Sequence, residues 1–279
     1  MRIAALAAAL LTATSALAGG LFDDDNDCKY TAARNATTPA SGVTRVIIHA
    51  EAGSLKVDGM QGATQIGVTG TACTSEEDFL PRMTLTLRRN GSDLHIDASI
   101  PEKRIVFGFF SARLDFAVTV PAGIPVSIDD DSGWIKVSNL GATKIDDDSG
   151  SIEARNIRGD LTIDDDSGGI DVDTVAGNVL IEDDSGEINV KNVTGKVEIE
   201  DDSGSINVAR VDSLHIREDD SGSIDAHEVK RDVLIDYDSS GSVTVADIGG
   251  NFTVHRKSSG GIDYVRVAGK VDIPERNKR

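Results

Sequence analysis

Aromatic residues are scarce in this sequence, at 4% of its 279 residues. Ligand clefts are lined largely by hydrophobic and aromatic side chains, so this scarcity weakens the case for a cleft that stacks sugar rings. Helical periodicity is also missing from most of the chain. Apolar residues recur instead at intervals of two, which is the spacing of β-strands. The sequence therefore predicts an all-β protein.

Positive charge is in short supply as well. The chain has 28 lysine and arginine residues against 47 aspartate and glutamate residues, which gives a formal net charge of −19. A chain of this charge is repelled by phosphate backbones and by anionic lipid headgroups. We therefore expect neither nucleic acids nor anionic membrane surfaces as partners.

Long apolar runs are limited to the N-terminus. Residues 1–18 begin with the charged Arg2, continue through an apolar run at 3–11 and end in Ala16-Leu17-Ala18. This pattern is typical of a cleaved signal peptide, and the run is too short for a transmembrane helix. We therefore expect a soluble periplasmic or secreted bacterial protein without a transmembrane segment.

The sequence contains two cysteines, Cys28 and Cys73. Disulfides persist in oxidising compartments, so the expected location favours a disulfide between them over two free buried thiols. Neither cysteine lies in a C-x-x-C pair, which disfavours a zinc site. The histidines show no ligand spacing, and we interpret them as solvated or structural. They are His49, His95, His215, His227 and His255.

A repeat dominates the chain from residue 128 onwards. IDDDSGSIEARNIRGDLT at 145–162 is followed directly by IDDDSGGIDVDTVAGNVL at 163–180. The glycines that close the acidic runs are 17 to 19 residues apart, and a near-constant period of this size is typical of a solenoid of stacked coils. These glycines are Gly133, Gly150, Gly168, Gly186, Gly204, Gly222, Gly241 and Gly260.

Each coil is predicted to contain two short strands. Leu161 and Ile163 alternate in the first strand, Ile170 and Val172 alternate in the second, and Val175 marks a third apolar position before a turn. Crossovers between parallel strands are right-handed by default. The predicted fold is a right-handed parallel β-solenoid of about 18-residue coils, with eight coils spanning roughly 40 Å.

The residues before the repeats predict an N-terminal β cap. The segment at 52–68 aligns with a coil without aspartates, 74–82 predicts one helical turn, and 83–99 predicts a hairpin that turns at Asn-Gly. RIVFGFF at 104–110 and ARLDFAVTV at 112–120 predict two more strands. The predicted organisation is a signal peptide at 1–18, a mature N-terminal segment at 19–42, a β cap with one degenerate coil at 43–127, solenoid repeats at 128–273 and a basic tail at 274–279.

These motifs together resemble a known family. A secreted chain with a GSLKV coil, a GTACTSEED segment, a hairpin, a VPAGIPV connector and repeated SGSI turns is similar to the bacterial putative-adhesin family of β-strand-repeat proteins, a domain of unknown function. The resemblance covers nearly all of the chain after the signal peptide. It implies surface binding and no catalytic residue. The sequence departs from the family by placing aspartates before Ser-Gly, where small or hydroxyl residues are usual.

The middle aspartate of each acidic run is the main candidate site residue. Strand alternation directs Asp164 and Asp166 outward and Asp165 inward with Ile163. Stacked carboxylates ~5 Å apart repel by about 1 kcal/mol in water and by more at lower dielectric. The equivalent residues form a predicted aspartate ladder and are candidate metal ligands. They are Asp130, Asp147, Asp165, Asp183, Asp201 and Asp219.

Three explanations of this ladder are open. The strands end early and the aspartates are solvated or bond turn amides. Alternatively, Ca²⁺ bridges adjacent coils, although the nine-residue glycine-rich repeat of calcium-binding β-rolls is missing. In the third, inward carboxyls stay protonated and share protons. We expect no required cofactor, and Ca²⁺ is the candidate for an ion that binds the ladder. The last coil carries His255-Arg256-Lys257-Ser258 instead of the acidic run, which predicts a positive end cap.

The Ser-Gly pairs predict tight corners between strands. Glycine permits positive φ, and the serine hydroxyl can bond a neighbouring backbone group. The stretch 166–169, Asp-Ser-Gly-Gly, is similar to the nucleophile segment of trypsin-like proteases, but a nucleophile does not recur in every coil. The predicted corner residues are Ser132, Gly133, Ser149, Gly150, Ser167, Gly168, Ser185, Gly186, Ser203, Gly204, Ser221 and Gly222.

The predicted function is non-catalytic: a secreted or envelope solenoid that binds or scaffolds an unknown surface partner. The first alternative is a calcium-binding solenoid in which the ion bridges stacked aspartates. A β-helix polysaccharide-degrading enzyme is less favoured, because such enzymes need long loops to build a cleft and these coils are nearly free of loops.

Overall fold

The computed structural model describes residues 28–102 and 110–274, and these residues are almost entirely strand. No helix within them is both long and apolar enough to cross a membrane. The strands are β1 Tyr30–Pro39, β2 Arg45–His49, β3 Leu55–Met60, β4 Gln65–Thr74, β5 Thr84–Asn90, β6 Asp93–Ser99, β7 Ala112–Pro121, β8 Val126–Asp130, β9 Gly133–Ser138, β10 Thr143–Asp147, β11 Gly150–Ile157, β12 Leu161–Asp165, β13 Ile170–Val175, β14 Val179–Val229, β15 Val233–Asp238, β16 Gly241–Ile248, β17 Phe252–Lys257, β18 Ile262–Val267 and β19 Val271–Asp272. A single 3-10 helix is described, at Glu77–Arg82.

The repeats form stacked parallel coils, which confirms the predicted β-solenoid. β8, β10, β12 and the start of β14 pair in parallel on one face, and β9, β11, β13 and a later part of β14 pair on the other. We call these the first and second sheets. β14 is continuous over 51 residues and so includes several corners of the solenoid, among them Gly186, Gly204 and Gly222.

Equivalent apolar side chains stack in register inside the solenoid. Ile128 pairs with Ile145, Ile145 with Ile163 and Ile163 with Ile181, and all four are buried. The alternate residues face solvent, as the period of two requires. Burial of this apolar surface is the main favourable term for folding.

The N-terminal strands extend this stack before closing it. β2 pairs in parallel with β8, and β3 pairs in parallel with β9, so they form one further coil. β6 and β7 add parallel strands on the opposite side of that coil. The pairing then becomes antiparallel, with β5 on β6, β4 on β7 and β1 on β4.

Several local predictions in this region are confirmed. The hairpin is β5–β6, the helical turn is the 3-10 helix, and ARLDFAVTV lies in β7. The signal peptide, most of RIVFGFF and most of the basic tail lie outside the described residues. The predicted disulfide is also confirmed: it joins Cys28 to Cys73, with the two Cα atoms 5.3 Å apart, and so ties the start of β1 to β4.

Candidate functional site

The predicted corner glycines allow successive coils to touch. Their φ values are between 123° and 155° for the glycines from Gly133 to Gly241, a region that L side chains rarely adopt. A Cβ on Gly168 would lie 1.4 Å from the carbonyl oxygen of Gly150, and one on Gly186 would lie 1.5 Å from that of Gly168. Each corner therefore requires glycine for both its backbone conformation and its packing.

The corner serines bind the backbone of the preceding coil. Ser167 Oγ donates to the carbonyl oxygen of Asp148 at 3.4 Å, and Ser203 Oγ donates to that of Asp184 at 3.2 Å. Ser149, Ser185 and Ser221 make the equivalent bond. At the first corner, the Ser132 N–H donates to the Glu51 carbonyl. This repeated structural role explains why Asp-Ser-Gly occurs in coil after coil.

The middle aspartates lie inside the solenoid, in line with the apolar core. Asp147 pairs with Asp130 and Asp165, and Asp165 pairs with Asp183. We call the buried set the inner aspartate column; each of its residues is at most 4% exposed. The column comprises Asp130, Asp147, Asp165, Asp183, Asp201, Asp219 and Asp238. Solvation is therefore the wrong explanation for these middle aspartates, while the alternative bond to a turn amide is observed at Asp183.

Most oxygens of the column have no hydrogen-bond partner. Both carboxyl oxygens are unpartnered in Asp130, Asp147, Asp165, Asp201 and Asp219. In Asp183, Oδ1 accepts the backbone N–H of Ser185 at 3.3 Å, a weak version of the turn that aspartate forms with the residue two positions later. An ionised carboxylate in such surroundings loses its hydration, and the backbone N–H groups of the corner serines offset only part of that loss.

Burial raises the pKa values of the column. Desolvation is the largest cause at every position, and the neighbouring aspartates add to it at most of them. The pKa is about 8 for Asp130, about 6 for Asp147 and Asp183, and about 7 for Asp165, Asp201 and Asp219. Since neighbouring carboxyls interact, protons leave the column as a coupled set.

The column ends at a buried lysine. Lys257 Nζ donates to Asp238 Oδ2 at 2.5 Å and to the Gly241 carbonyl oxygen at 3.1 Å. The side chains of Lys257 and Asp238 are 0% and 1% exposed. The expected positive end cap therefore consists of one internal cation below the last carboxylate, while Arg256 faces outward over the ring of Tyr237.

Ca²⁺ and protons place different demands on the geometry of the column. Calcium takes six to eight oxygen ligands. Within the described residues, no three carboxyls of the column bring ligand atoms within 4.8 Å of one another; the single group of three that meets this distance is elsewhere, at His49, His95 and Asp97. A Ca²⁺ ion in the column would therefore need further oxygen ligands, whereas a proton needs only the carboxyl that holds it.

The outer acidic residues are distinct from the column. Asp129, Asp146 and Asp164 stack on the outside of the first sheet, followed by Glu182. Arg217 offsets part of this charge, since its guanidinium binds Glu182, lies 2.9 Å from Glu200 and 3.5 Å from Glu198. This face is therefore solvated and locally paired.

The second sheet carries a shallow polar groove on its outer face. Asn207 Nδ2 donates to Asn189 Oδ1 at 3.0 Å, so that the two amides form a short ladder across adjacent coils. Side chains of both charges surround this ladder. The groove is lined by Arg155, Asp171, Asn189, Lys191, Asn207 and His227. It offers donors and acceptors along one line, which suits an extended polar ligand.

The sequence matches a known protein family. The Toastrack DUF4097 family model matches residues 61–273, which is most of the chain. The chain belongs to the Toastrack DUF4097 family. This membership confirms the resemblance to a family of uncharacterised proteins, and it assigns no catalytic residue. The chain has no significant sequence match among curated proteins.

Solved structures of bacterial proteins are also similar to this chain. A putative adhesin from Bacteroides fragilis shares 15% identity over 89% of this chain and 99% of its own, with a TM-score of 0.43. A putative adhesin from Parabacteroides distasonis shares 12% identity over 87% and 97%, with a TM-score of 0.40. A putative cell adhesion protein from Clostridium sporogenes shares 15% identity over 88% and 99%, with a TM-score of 0.30.

Proposed function

We propose that this protein is a non-catalytic scaffold of the periplasm or the cell exterior, and that it binds an envelope or surface partner through its outer faces. The main support for this proposal is the polar groove of the second sheet. The groove crosses several coils, and the tight corners beside it leave it open. The disulfide supports an oxidising compartment. The corner serines support a structural role, since their hydroxyls bind backbone carbonyls.

The groove is better suited to binding than the acidic face. Asn189 and Asn207 present amide groups that both donate and accept, and Lys191 lies beside them. The acidic face presents like charges, which keep a protein soluble and discourage association with similar surfaces. We therefore place the partner, an extended polar chain such as a glycan or a peptide strand, in the groove.

A calcium-stabilised solenoid is the second candidate. The unpartnered oxygens of the inner aspartate column favour it, because a buried polar atom without a hydrogen bond is one place where a cation binds. It differs from the scaffold proposal in making folding depend on the ion.

Binding to envelope material tests the scaffold proposal. Labelled purified protein is titrated onto intact cells and isolated cell-envelope fractions of its host, beside a doubly substituted N189A/N207A variant. The control is D146N/D164N, which changes the acidic face. We expect saturable binding that the groove variant loses and the control retains. The proposal is overturned if the wild type does not bind, or if it releases reducing sugar from envelope glycans.

A further inference from the structure

A cluster of metal-ligand residues lies on the N-terminal coil, away from the groove and the inner aspartate column. β2 lies between β6 and β8, and His49 is in direct register with Asp97 on one side and with Asp129 on the other. His95 precedes Asp97 by two residues and so shares its face. Leu94 and Ile96, which alternate with them, are buried. The ligand residues therefore project outward from adjacent strands.

The distances within the cluster suit one ion. His49, His95 and Asp97 each offer a ligand atom within 4.8 Å of those of the other two. The two imidazole rings are stacked, with centroids 6.5 Å apart and planes 16° apart. Nitrogen and oxygen ligands lie about 2.0–2.2 Å from Zn²⁺, so small side-chain rotations bring all three atoms into one coordination sphere. The register of the sheet brings these three side chains together, which their spacing in the sequence did not reveal.

A carboxylate on the neighbouring strand holds one of the rings. Asp129 Oδ2 lies 3.2 Å from His49 Nδ1. Metal-binding histidines usually bond a carboxylate or a carbonyl through their second nitrogen, which fixes the ring and its tautomer. With Nδ1 held by Asp129, Nε2 is the nitrogen of His49 available to a metal.

Among the described residues, Arg88 is a cation that competes for the site. An Arg88 guanidinium nitrogen lies 3.6 Å from Asp97 Oδ2, and the Arg88 side chain is 71% exposed. Ion pairs as exposed as this contribute little to stability. Arg88 can therefore leave Asp97 for solvent when an ion binds.

We propose that His49, His95 and Asp97 form a binding site for a divalent transition-metal ion, with Asp129 orienting His49. Two imidazoles and one carboxylate match Zn²⁺ in particular, and they leave a fourth position open to water or to a partner's side chain. The hard, all-oxygen coordination that Ca²⁺ prefers is not offered here. The site is independent of the proposed function.

Calorimetric titration with Zn²⁺ near neutral pH tests this site in the purified protein. We expect one saturable site in the wild type. H95Q and D97N should each weaken binding by roughly tenfold or more, and D129N by about tenfold through the loss of orientation. R88A should tighten binding, because it removes the competitor.

The controls separate this site from general attraction of cations to an acidic protein. H227Q and H255Q change exposed histidines in other coils and should leave the affinity unchanged, and circular dichroism verifies that all variants fold. Absence of saturable binding in the wild type overturns the proposal. The proposal is also overturned if H95Q and H255Q weaken binding equally. It is overturned as well if R88A leaves the affinity unchanged and H95Q retains full binding.

Discussion

Lys257 and Asp238 form an ion pair inside the solenoid, with Nζ 2.5 Å from Oδ2 and both side chains sealed from solvent. Asp238 is the last member of the inner aspartate column, and Lys257 occupies the paired position in the next coil. The column thus runs from Asp130, which lies beside the coil that contains Ala50, to a single internal cation. A charge buried so deeply is tolerated only while its partner is present.

Replacing the lysine should expose this dependence. In K257M the Asp238 carboxylate loses its cation, and we expect the free energy of unfolding near neutral pH to fall by about 3–5 kcal/mol. The loss should be smaller near pH 5, because desolvation raises the pKa of Asp238 and the carboxyl takes up a proton once the lysine is gone. Denaturant unfolding at both pH values measures the difference.

The double variant K257M/D238N is the control for that prediction. It removes both charges, so most of the lost stability should return, independently of pH. Equal destabilisation of K257M at both pH values would contradict an uncompensated carboxylate as the cause.

The whole column should make the protein more stable in mild acid than in mild base. The pKa values of Asp130, Asp165, Asp201 and Asp219 are raised to about 7–8, against about 3.9 for an unfolded aspartate. Between these values the native state binds more protons than the unfolded state, so the free energy of unfolding falls as pH rises. We expect a loss of several kcal/mol between about pH 5 and pH 8.5.

Adjacent aspartates provide a matched pair for this test. D165N replaces a buried carboxyl by a neutral group of similar shape, so it should raise stability at alkaline pH and flatten the pH profile. D166N changes the exposed neighbour, whose charge is only the smallest of the causes that raise the pKa of Asp165, and should alter the profile much less. Chemical denaturation of the three proteins across the pH range measures both effects. Identical profiles for wild type and D165N would show that the column does not hold the protons.

The amino-acid sequence was sufficient to predict the solenoid, the inward direction of Asp165 and the pairing of Cys28 with Cys73. These features follow from local alternation, a fixed period and a count of two cysteines. The meeting of His49 with His95 could not be predicted, because it depends on β2 lying between β6 and β8, out of chain order. The raised pKa values of the column depend on how deeply its aspartates are buried. Strand alternation predicts that these side chains point inward, but not how deep they lie.

A second set of equivalent residues, whose backbone is left-handed, was not recognised from the sequence. Asn156, Thr174 and Asn192 have φ values of 56°, 67° and 59°, and equivalent residues of other coils share this conformation. Each precedes the third apolar position of its coil. Asparagine tolerates the left-handed region, so its recurrence was the available signal, but arginine and glutamate at other positions obscured it.

Thr174 is therefore a site where stability can be gained. A β-branched residue is poorly suited to positive φ, and T174N would match the asparagines of the flanking coils. We expect an increase of about 1 kcal/mol in the free energy of unfolding. T162N is the control, since Thr162 lies in the extended strand β12, where asparagine is disfavoured and should destabilise. A destabilised T174N, measured by thermal unfolding, would contradict this account.

The corner glycines should differ sharply from the glycines beside them. In G168A the new methyl group would lie 1.4 Å from the Gly150 carbonyl oxygen, at a φ of 146°. The coils would have to separate, and we expect a loss of more than about 4 kcal/mol, in the range of exceptional single substitutions. A Cβ on Gly169 would have the Glu187 carbonyl oxygen, 3.9 Å away, as its nearest neighbour, so G169A should change stability by less than about 1 kcal/mol. Similar unfolding midpoints for the two variants would contradict the packing role of the corner.

Calcium dependence distinguishes a column that binds metal from one whose carboxyls are protonated or bonded to turn amides. Thermal unfolding is compared in millimolar Ca²⁺ and in excess chelator, at fixed ionic strength and at two pH values. We expect equal midpoints near pH 6, because burial raises the pKa values of the column and so favours protonated carboxyls over bound Ca²⁺. A ligand at a thousandfold excess over its dissociation constant stabilises by about 4 kcal/mol, so a specific site would raise the unfolding midpoint measurably.

A calcium-specific rise in the midpoint that D201N removes and D202N retains would make the column a metal array, since Asp201 is buried and Asp202 is exposed. Magnesium at the same concentration is the control, because a shift common to both cations reports only screening of the acidic face.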